Sequence, residues 1–292
     1  MSGVPLSAAP LGVTVGAVRL GVVTIGQAPR TDLTPDLARW LPGVELVERG
    51  VLDGMGPAEL AAMAPADGDH VLTTRLADGG SVEIGERQVQ ERLPALVAAL
   101  EDEVDAVLLA CTGPFAVLPH RKPLFVPDAL IALGTAALAT AVAPMDAPPA
   151  SRSRGPAAAR TDPPVPESAG AAAARTDPPV PESAGPTRVG VICPLPEQQG
   201  FTVAKFSPRL GGQHVLTAAA SPYTGSAEEL AAAGIALRDA GAQLLALDCI
   251  GYTAAMRDAV AAETGLPVVL ARSVAARLAA EVLDSIVPGR PA

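Results

Sequence analysis

Short runs rich in valine and leucine alternate with longer helical segments along nearly the whole chain. This alternation is typical of βα units, in which each helix returns the chain to the start of the next parallel strand. Strands of a parallel sheet are buried on both faces, so they read as continuous apolar runs. The pattern predicts an α/β protein with parallel sheets. The predicted strands are Val18–Ile25, Val44–Val51, His70–Thr74, Ala106–Ala110, Arg188–Ile192, His214–Ala218, Leu244–Leu247 and Val268–Leu270, and the predicted helices are Thr34–Trp40, Pro57–Met63, Gly85–Leu100, Ala227–Ala240, Thr253–Thr264 and Ser273–Ile286.

The composition limits how the core is built. Hydrophobic residues make up 49% of the 292 residues, but aromatic residues only 2%. The core must therefore consist of small aliphatic side chains, which favours closely packed α/β layers. A chain of this length can form two lobes. We predict an N-terminal α/β lobe at 16–125 and a second α/β lobe at 126–265.

Charge and hydropathy exclude some partners. The net charge of −10 argues against a nucleic-acid partner, because phosphate binding needs a concentrated Lys/Arg surface. The most apolar stretch, Ala129–Ala143, is short for a bilayer and predicts a core-facing helix, so we expect no membrane partner. The N-terminus lacks a basic region, and we expect no export signal and a cytoplasmic protein with reduced thiols. Association of identical chains stays open.

A segment of different composition separates the two lobes. From about Ala147 to Thr187 the chain is dominated by Pro, Ala, Ser and Arg, and AAARTDPPVPESAG occurs twice, from Ala157 and from Ala172. Such a segment buries too little apolar surface to offset its ordering entropy. We predict a disordered insertion at about 147–187. The alternative is a proline-rich ligand for a groove on another protein.

Two cysteines occupy matching settings about half a chain apart. Cys111 in LLACTGPF and Cys249 in LALDCIGY each follow a strand-like run and precede small residues. Since the site of an open α/β sheet lies at the carboxyl ends of its strands, we expect both thiols to face one cleft. Backbone N–H groups and the positive end of a following helix lower the pKa of such a thiol, whereas Asp248 beside Cys249 raises it. The alternative is that each cysteine is a small buried hydrophobic residue.

Paired thiols suggest proton transfer. Two such groups on opposite faces of a substrate carbon allow one to remove an α-proton while the other delivers a proton to the far side, which inverts the centre without a cofactor. A third cysteine, Cys193, also follows a strand, but Pro194 removes a backbone donor beside it. We interpret Cys193 as structural or as a wall of the pocket.

The loop after the first strand, TIGQAPRTD from Thr24 to Asp32, offers donors for a substrate carboxylate. Thr24, Gln27 and Arg30 would hold the carboxylate at the same sheet edge as the cysteines. A solvated Arg30 beside Asp32 is the alternative. The residues next to the cysteines complete the predicted substrate-binding set, namely Thr112, Gly113, Gly251 and Tyr252, of which Thr112 and the neighbouring N–H groups would bind a carboxylate or an enolate-like charge.

Metal and cofactor sites are not indicated by the motifs. His70, His120 and His214 lack the spacing of metal ligands. The glycines of the first turn do not form GxGxxG, and no GxxxxGK[ST] loop occurs. We therefore assign no metal and no cofactor.

At these residues the chain resembles the AroM family, a branch of the aspartate/glutamate racemase superfamily. The resemblance is carried by VVTIGQAPRTDLTPDL, ERGVLDGM, VLTTRLADG, ERQVQERLPALVAALE, LDCIGY and LPVVLARSVAARLAAEVL. It implies two Rossmann-like lobes related by a pseudo-two-fold, with the active site between them and a C-terminal segment, 266–288, that returns to the first lobe. It also implies one catalytic cysteine per lobe, at Cys111 and Cys249.

The resemblance points to a cofactor-independent racemase or epimerase of a small carboxylate. The chain departs from the amino-acid racemases after both cysteines, because Thr112-Gly113 follows the first and no Thr-His follows the second. Two alternatives stay open. One is a decarboxylase or cis–trans isomerase of the superfamily type that uses one cysteine, and the other is a non-catalytic carboxylate-binding or regulatory protein linked to aromatic metabolism.

Overall fold

The computed structural model describes residues 17–142, 187–210 and 214–286. The predicted insertion at 147–187 lies outside these residues, apart from Thr187. The elements in chain order are β1 (Val18–Thr24), α1 (Thr34–Ala38), β2 (Val44–Gly50), α2 (Pro57–Ala62), β3 (Val71–Arg75), β4 (Ser81–Gly85), α3 (Glu86–Leu100), β5 (Ala106–Ala110), β6 (Leu124–Phe125), α4 (Pro127–Val142), β7 (Arg188–Cys193), α5 (Gln199–Phe206), β8 (His214–Ala219), α6 (Ala227–Asp239), β9 (Leu244–Leu247), α7 (Ala254–Thr264), β10 (Val268–Leu270) and α8 (Ala271–Ile286).

Two four-stranded parallel sheets form the two lobes, as predicted. The first has the order β2-β1-β5-β6 and the second β8-β7-β9-β10. Counted within each lobe, both sheets have the order 2-1-3-4. In this topology the chain reverses direction across the sheet between the first and third strands, and the crevice at their carboxyl ends is where ligands bind. Both cysteine-bearing segments follow a third strand.

A third, two-stranded sheet contains the strand predicted at His70–Thr74 and corrects the parallel pairing expected for it. This strand, β3, is not part of a parallel sheet: it pairs antiparallel with β4, so that Leu72 lies opposite Ile84. The turn between them contains Gly79, whose φ of 87° is accessible to glycine at little cost. The sequence ADGG is a turn signal for this hairpin. The hairpin was not predicted from that signal, and β4, β6 and α5 were missed as well.

Helices cross between the two sheets. The helix α4 follows the first sheet, but its Ile131 and Ala139 pack against Val189 and Val191 of the second. Conversely, α8 follows the second sheet, and Ala276 of α8 lies in a core with β1 and β5 of the first. The two lobes thus exchange a helix, which ties them together.

Local capping agrees with the sequence. The predicted N-cap Ser226 accepts a hydrogen bond from the N–H of Glu229 at 3.2 Å, and the Glu229 carboxylate accepts one from the N–H of Ser226 at 2.8 Å. This reciprocal pair satisfies two N–H groups at the start of α6. Among the described residues, no helix has both the length and the apolar character needed to cross a bilayer.

Candidate functional site

The two cysteines lie at equivalent positions of the two lobes. Cys111 directly follows β5, and Cys249 comes two residues after β9. Each sulfur accepts a hydrogen bond from the N–H of the glycine two residues later, Gly113 and Gly251, at 3.3 Å in both cases. Each side chain is buried. The local geometry is therefore duplicated around the two thiols.

Both thiols line one small cavity between the lobes, with a volume of about 30 Å³. The hairpin β3–β4 supplies one wall, and the carboxyl ends of both sheets with the start of α5 supply the rest. Cys193, at the end of β7, contributes a third thiol, as the interpretation of a pocket wall anticipated. The lining residues are His70, Leu72, Thr73, Cys111, Thr112, Gly113, Cys193, Pro194, Gln198, Phe201, Thr202, Asp248 and Cys249.

The pKa of both thiols is raised, which corrects the expected depression. Burial raises the pKa of Cys111 to about 12, although the hydrogen bond from the Gly113 N–H acts in the opposite direction. Burial also raises the pKa of Cys249, and the Asp248 carboxylate adds to the rise. No helix begins directly after either residue: α7 starts only at Ala254, and irregular chain follows Cys111. Desolvation therefore outweighs the single N–H bond at each sulfur.

Arg30 is buried rather than solvated. Its Nε and Nη2 donate to the two oxygens of Asp32, each at 2.8 Å, and its Nη1 donates to Oγ1 of Thr24 at 2.9 Å. Gln27 bridges two loops, because its side chain donates to the carbonyl of Leu52 and accepts from the N–H of Ala77. These residues do not line the cavity, and carboxylate binding by them stays a prediction.

The residues beside the cysteines divide into two groups. Thr112 and Gly113 line the cavity, and Oγ1 of Thr112 donates across the lobes to the carbonyl of Asp248 at 3.1 Å. Tyr252 is fully buried and its hydroxyl donates to the carbonyl of Ala220 at 2.5 Å. Gly251 contributes its N–H to Cys249 but does not line the cavity. Substrate contacts by this second pair stay a prediction.

Lys205 is the main residue that the sequence analysis missed. From α5 its ammonium group contacts both oxygens of Asp248, at 2.7 and 2.9 Å, an oxygen of Asp128 at 2.9 Å and the carbonyl of Thr112 at 3.0 Å. It therefore links the residue after Cys111 to the residue before Cys249. In the sequence, the only sign of this role was a lone lysine in the short run QQGFTVAKF.

Two further polar residues at the site were also missed. Gln198 donates from the second lobe to the carbonyl of Val71 in the hairpin at 2.8 Å. His70, on the cavity wall, packs edge-on against Phe201, and burial and the Lys205 charge lower its pKa. The imidazole is therefore neutral near pH 7 and available as a hydrogen-bonding group. Within the described ranges, no cluster of His, Cys, Asp and Glu side chains could hold a metal ion.

A family comparison accounts for most of the chain. The family model described as AroM protein matches residues 20–143 and 176–283. The chain belongs to the AroM family. A comparison with curated protein sequences gave no match.

Solved structures similar to this AroM-family chain include three glutamate racemases. The Bacillus anthracis isoform RacE1 is 12% identical with a TM-score of 0.50, and the alignment covers 93% of this chain and 83% of that one. The Francisella tularensis enzyme in complex with D-glutamate is 11% identical with a TM-score of 0.51, covering 94% and 85%. The Thermus thermophilus enzyme is 17% identical with a TM-score of 0.50, covering 94% and 84%. These likenesses show a shared two-lobe fold.

Proposed function

We propose that this protein is a cofactor-independent racemase or epimerase of a small carboxylate, with Cys111 and Cys249 as its two acid/base groups. The observation that carries the proposal is the convergence of one thiol from each lobe on a single cavity, each with the same N–H contact. A planar carbon intermediate held between two such groups can be protonated from either side.

The cavity wall offers groups for the negative charge that forms on the substrate. When the α-proton leaves, charge moves onto the carboxylate oxygens, and nearby N–H and O–H donors stabilise it. Gly113 and Thr112 follow Cys111 in the chain, and Gln198 and neutral His70 line the same cavity. Only two members of the substrate-binding set proposed from the sequence line this cavity. The lobes must move before the others can contact substrate. The full set is Thr24, Gln27, Arg30, Thr112, Gly113, Gly251 and Tyr252.

Movement of the lobes is also required by the size of the cavity. At about 30 Å³ it accommodates ordered water rather than a carboxylic acid, since ligand sites usually measure hundreds of Å³. Substrate must therefore enter an opened form. Closure then expels water, which strengthens the interactions between the thiols and the reacting carbon.

The test begins with a thermal-shift screen of small carboxylates, including aromatic and shikimate-pathway acids, because a ligand that binds the folded state raises the melting temperature. Hits are then assayed for exchange of the α-hydrogen with solvent deuterium and for loss of optical activity. We expect Cys111→Ala and Cys249→Ala each to abolish racemisation. The control is Cys193→Ala, which removes the third thiol of the cavity. It should retain racemisation, because the Cys193 thiol donates to the carbonyls of Leu195 and Ala218. Full racemisation by either of the first two variants refutes the two-base mechanism.

The raised pKa of both thiols favours one second candidate, a carboxylate-binding protein without turnover. It predicts ligands that raise the melting temperature but show no deuterium exchange. A one-cysteine decarboxylase or isomerase is distinguished in the same assay by release of CO₂, or by exchange that survives Cys111→Ala.

A further inference from the structure

Tyr223, which lies between β8 and α6, is placed beside Cys249. Its phenol covers Gly251 so closely that a Cβ on Gly251 would lie 2.6 Å from both the phenol Cζ and the hydroxyl oxygen. The N–H of Gly251 is itself the donor to the Cys249 sulfur at 3.3 Å. The tyrosine hydroxyl therefore lies beside the backbone segment that holds this sulfur, and Tyr223 lowers the pKa of Cys249.

The groups that hold the phenol decide whether its hydroxyl can donate a hydrogen bond. Nη2 of Arg30 donates to the Tyr223 oxygen at 3.3 Å, and a guanidinium has no acceptor. The hydroxyl hydrogen is thus free for another partner. The Arg75 guanidinium lies 5.0 Å from the ring centroid, so two cations of the first lobe face this ring of the second. Burial raises the pKa of Tyr223, which keeps the phenol protonated as a donor.

The charges around the two cavity thiols differ. Around Cys249, the Asp248 carboxylate disfavours a thiolate, while Tyr223 and the Arg30 charge favour it. Lys205 holds the Asp248 carboxylate in an ion pair, which offsets its effect. Asp248, Tyr223 and Arg30 act on the pKa of Cys249, and Cys249 in turn adds to the rise that burial causes in the pKa of Cys111 and of Tyr252. At Cys111 the favourable contributions are the Gly113 N–H and the charge of Lys205, which the two aspartates already pair.

We propose that Tyr223 is a further catalytic residue, whose hydroxyl donates to the Cys249 sulfur and makes Cys249 the thiol that ionises first. The inference rests on the proposed proton transfer. In that step the substrate C–H bond breaks, its proton passes to the Cys249 thiolate, and its electron pair stays on the substrate as an enolate. The Cys111 thiol then gives its proton to the opposite face, which leaves Cys111 as the thiolate. No oxidant or reductant is consumed.

The test measures the reactivity of each thiol without any substrate. The full-length protein is treated with methyl methanethiosulfonate at a fixed pH near neutrality, and the modification of each cysteine is followed by peptide mass spectrometry. Loss of a hydrogen bond to a thiolate raises its pKa by about one unit. The thiolate fraction then falls about tenfold while its nucleophilicity rises about threefold, so the rate falls about threefold. We expect this loss at Cys249 in Tyr223→Phe, with the Cys111 rate in the same sample unchanged.

The control is Tyr252→Phe, which removes the other buried tyrosine hydroxyl near Cys249 but one that donates to the Ala220 carbonyl. It should leave the ratio of the Cys249 and Cys111 rates at its wild-type value. An unchanged ratio in Tyr223→Phe, or an equal change in Tyr252→Phe, overturns the inference. The proposed reaction is tested separately by deuterium exchange: its absence together with a threefold change in the ratio refutes the reaction while upholding the Tyr223–Cys249 bond.

Discussion

Replacement of Lys205 by methionine tests whether its ion pairs hold the site together. The change keeps most of the side-chain volume but leaves Asp248, which is 5% exposed, without its cation. Removal of one partner of a buried pair costs about 3–5 kcal/mol of the free energy of unfolding. Asp128 and the Thr112 carbonyl also lose a contact, so we expect a loss of about 4 kcal/mol, a large share of the stability of an ordinary domain.

The loss should depend on pH in a defined direction. Burial already raises the pKa of Asp248, and the Lys205 charge lowers it; in the variant the pKa therefore rises further. A carboxyl whose pKa is higher in the folded than in the unfolded state destabilises the fold as pH rises above the unfolded value of about 3.9. The deficit of Lys205→Met should consequently shrink in mild acid and be largest near neutrality.

Urea denaturation of wild type and variants at two pH values measures this effect. Lys205→Met/Asp248→Asn removes both charges and should recover about 2 kcal/mol of the loss, which the double-mutant cycle reports as coupling. Arg238→Met, in an exposed pair with Asp239, is the matched control and should cost under about 1 kcal/mol. A Lys205→Met deficit below about 1 kcal/mol, or one that is equal at both pH values, would refute the reasoning.

Two further predictions concern packing and a buried carboxylate. Gly251→Ala should lower the free energy of unfolding by about 1–3 kcal/mol, because the added Cβ would overlap Tyr223. Its control is Gly200→Ala in α5, where the added Cβ meets open space and should not destabilise the fold. Thermal unfolding measures both variants. Burial alone would raise the pKa of Glu101, but N–H groups, including that of Arg121, and the Arg121 charge lower it overall. Glu101→Gln should therefore cost about 1–2 kcal/mol at neutral pH. Urea titrations should show this difference shrinking as the pH falls below the unfolded glutamate value of about 4.3 and vanishing only below the lowered folded-state pKa.

The parallel sheets were predictable because burial on both faces leaves a continuous apolar run in the sequence. Seven of the eight predicted strands, including Ala106–Ala110 and Leu244–Leu247, lie in the two parallel sheets within a residue or two of their predicted ends. The eighth, at His70–Thr74, is the strand β3 but pairs antiparallel with β4, because a short run such as Val71–Arg75 carries no mark of its partner strand. Pairing is decided by which chain segment lies next to it.

The candidate site was predictable in its thiols and not in their surroundings. The placement of Cys111 and Cys249 follows from local pattern, since each ends the third strand of a repeated 2-1-3-4 sheet. The neighbour Asp32 of Arg30 could be read from the sequence, but only the folded chain buries Arg30 and brings it to Tyr223. The contacts of Lys205 and Tyr223 join segments far apart in sequence, and no local spacing encodes them.

The sequence by itself thus determined the α/β class, the duplicated strands and the position of one cysteine in each lobe, because these depend on local apolar periodicity. Only the tertiary structure decided that the pKa of both thiols is raised, because burial is the largest contribution and depends on how the folded chain packs around each sulfur. It likewise decided that Lys205 contacts Asp248 and the Thr112 carbonyl, the neighbours of both cysteines, and that Tyr223 packs over Gly251. These contacts depend on the folded chain bringing distant segments together, within the second lobe for Asp248 and across the lobes for Thr112.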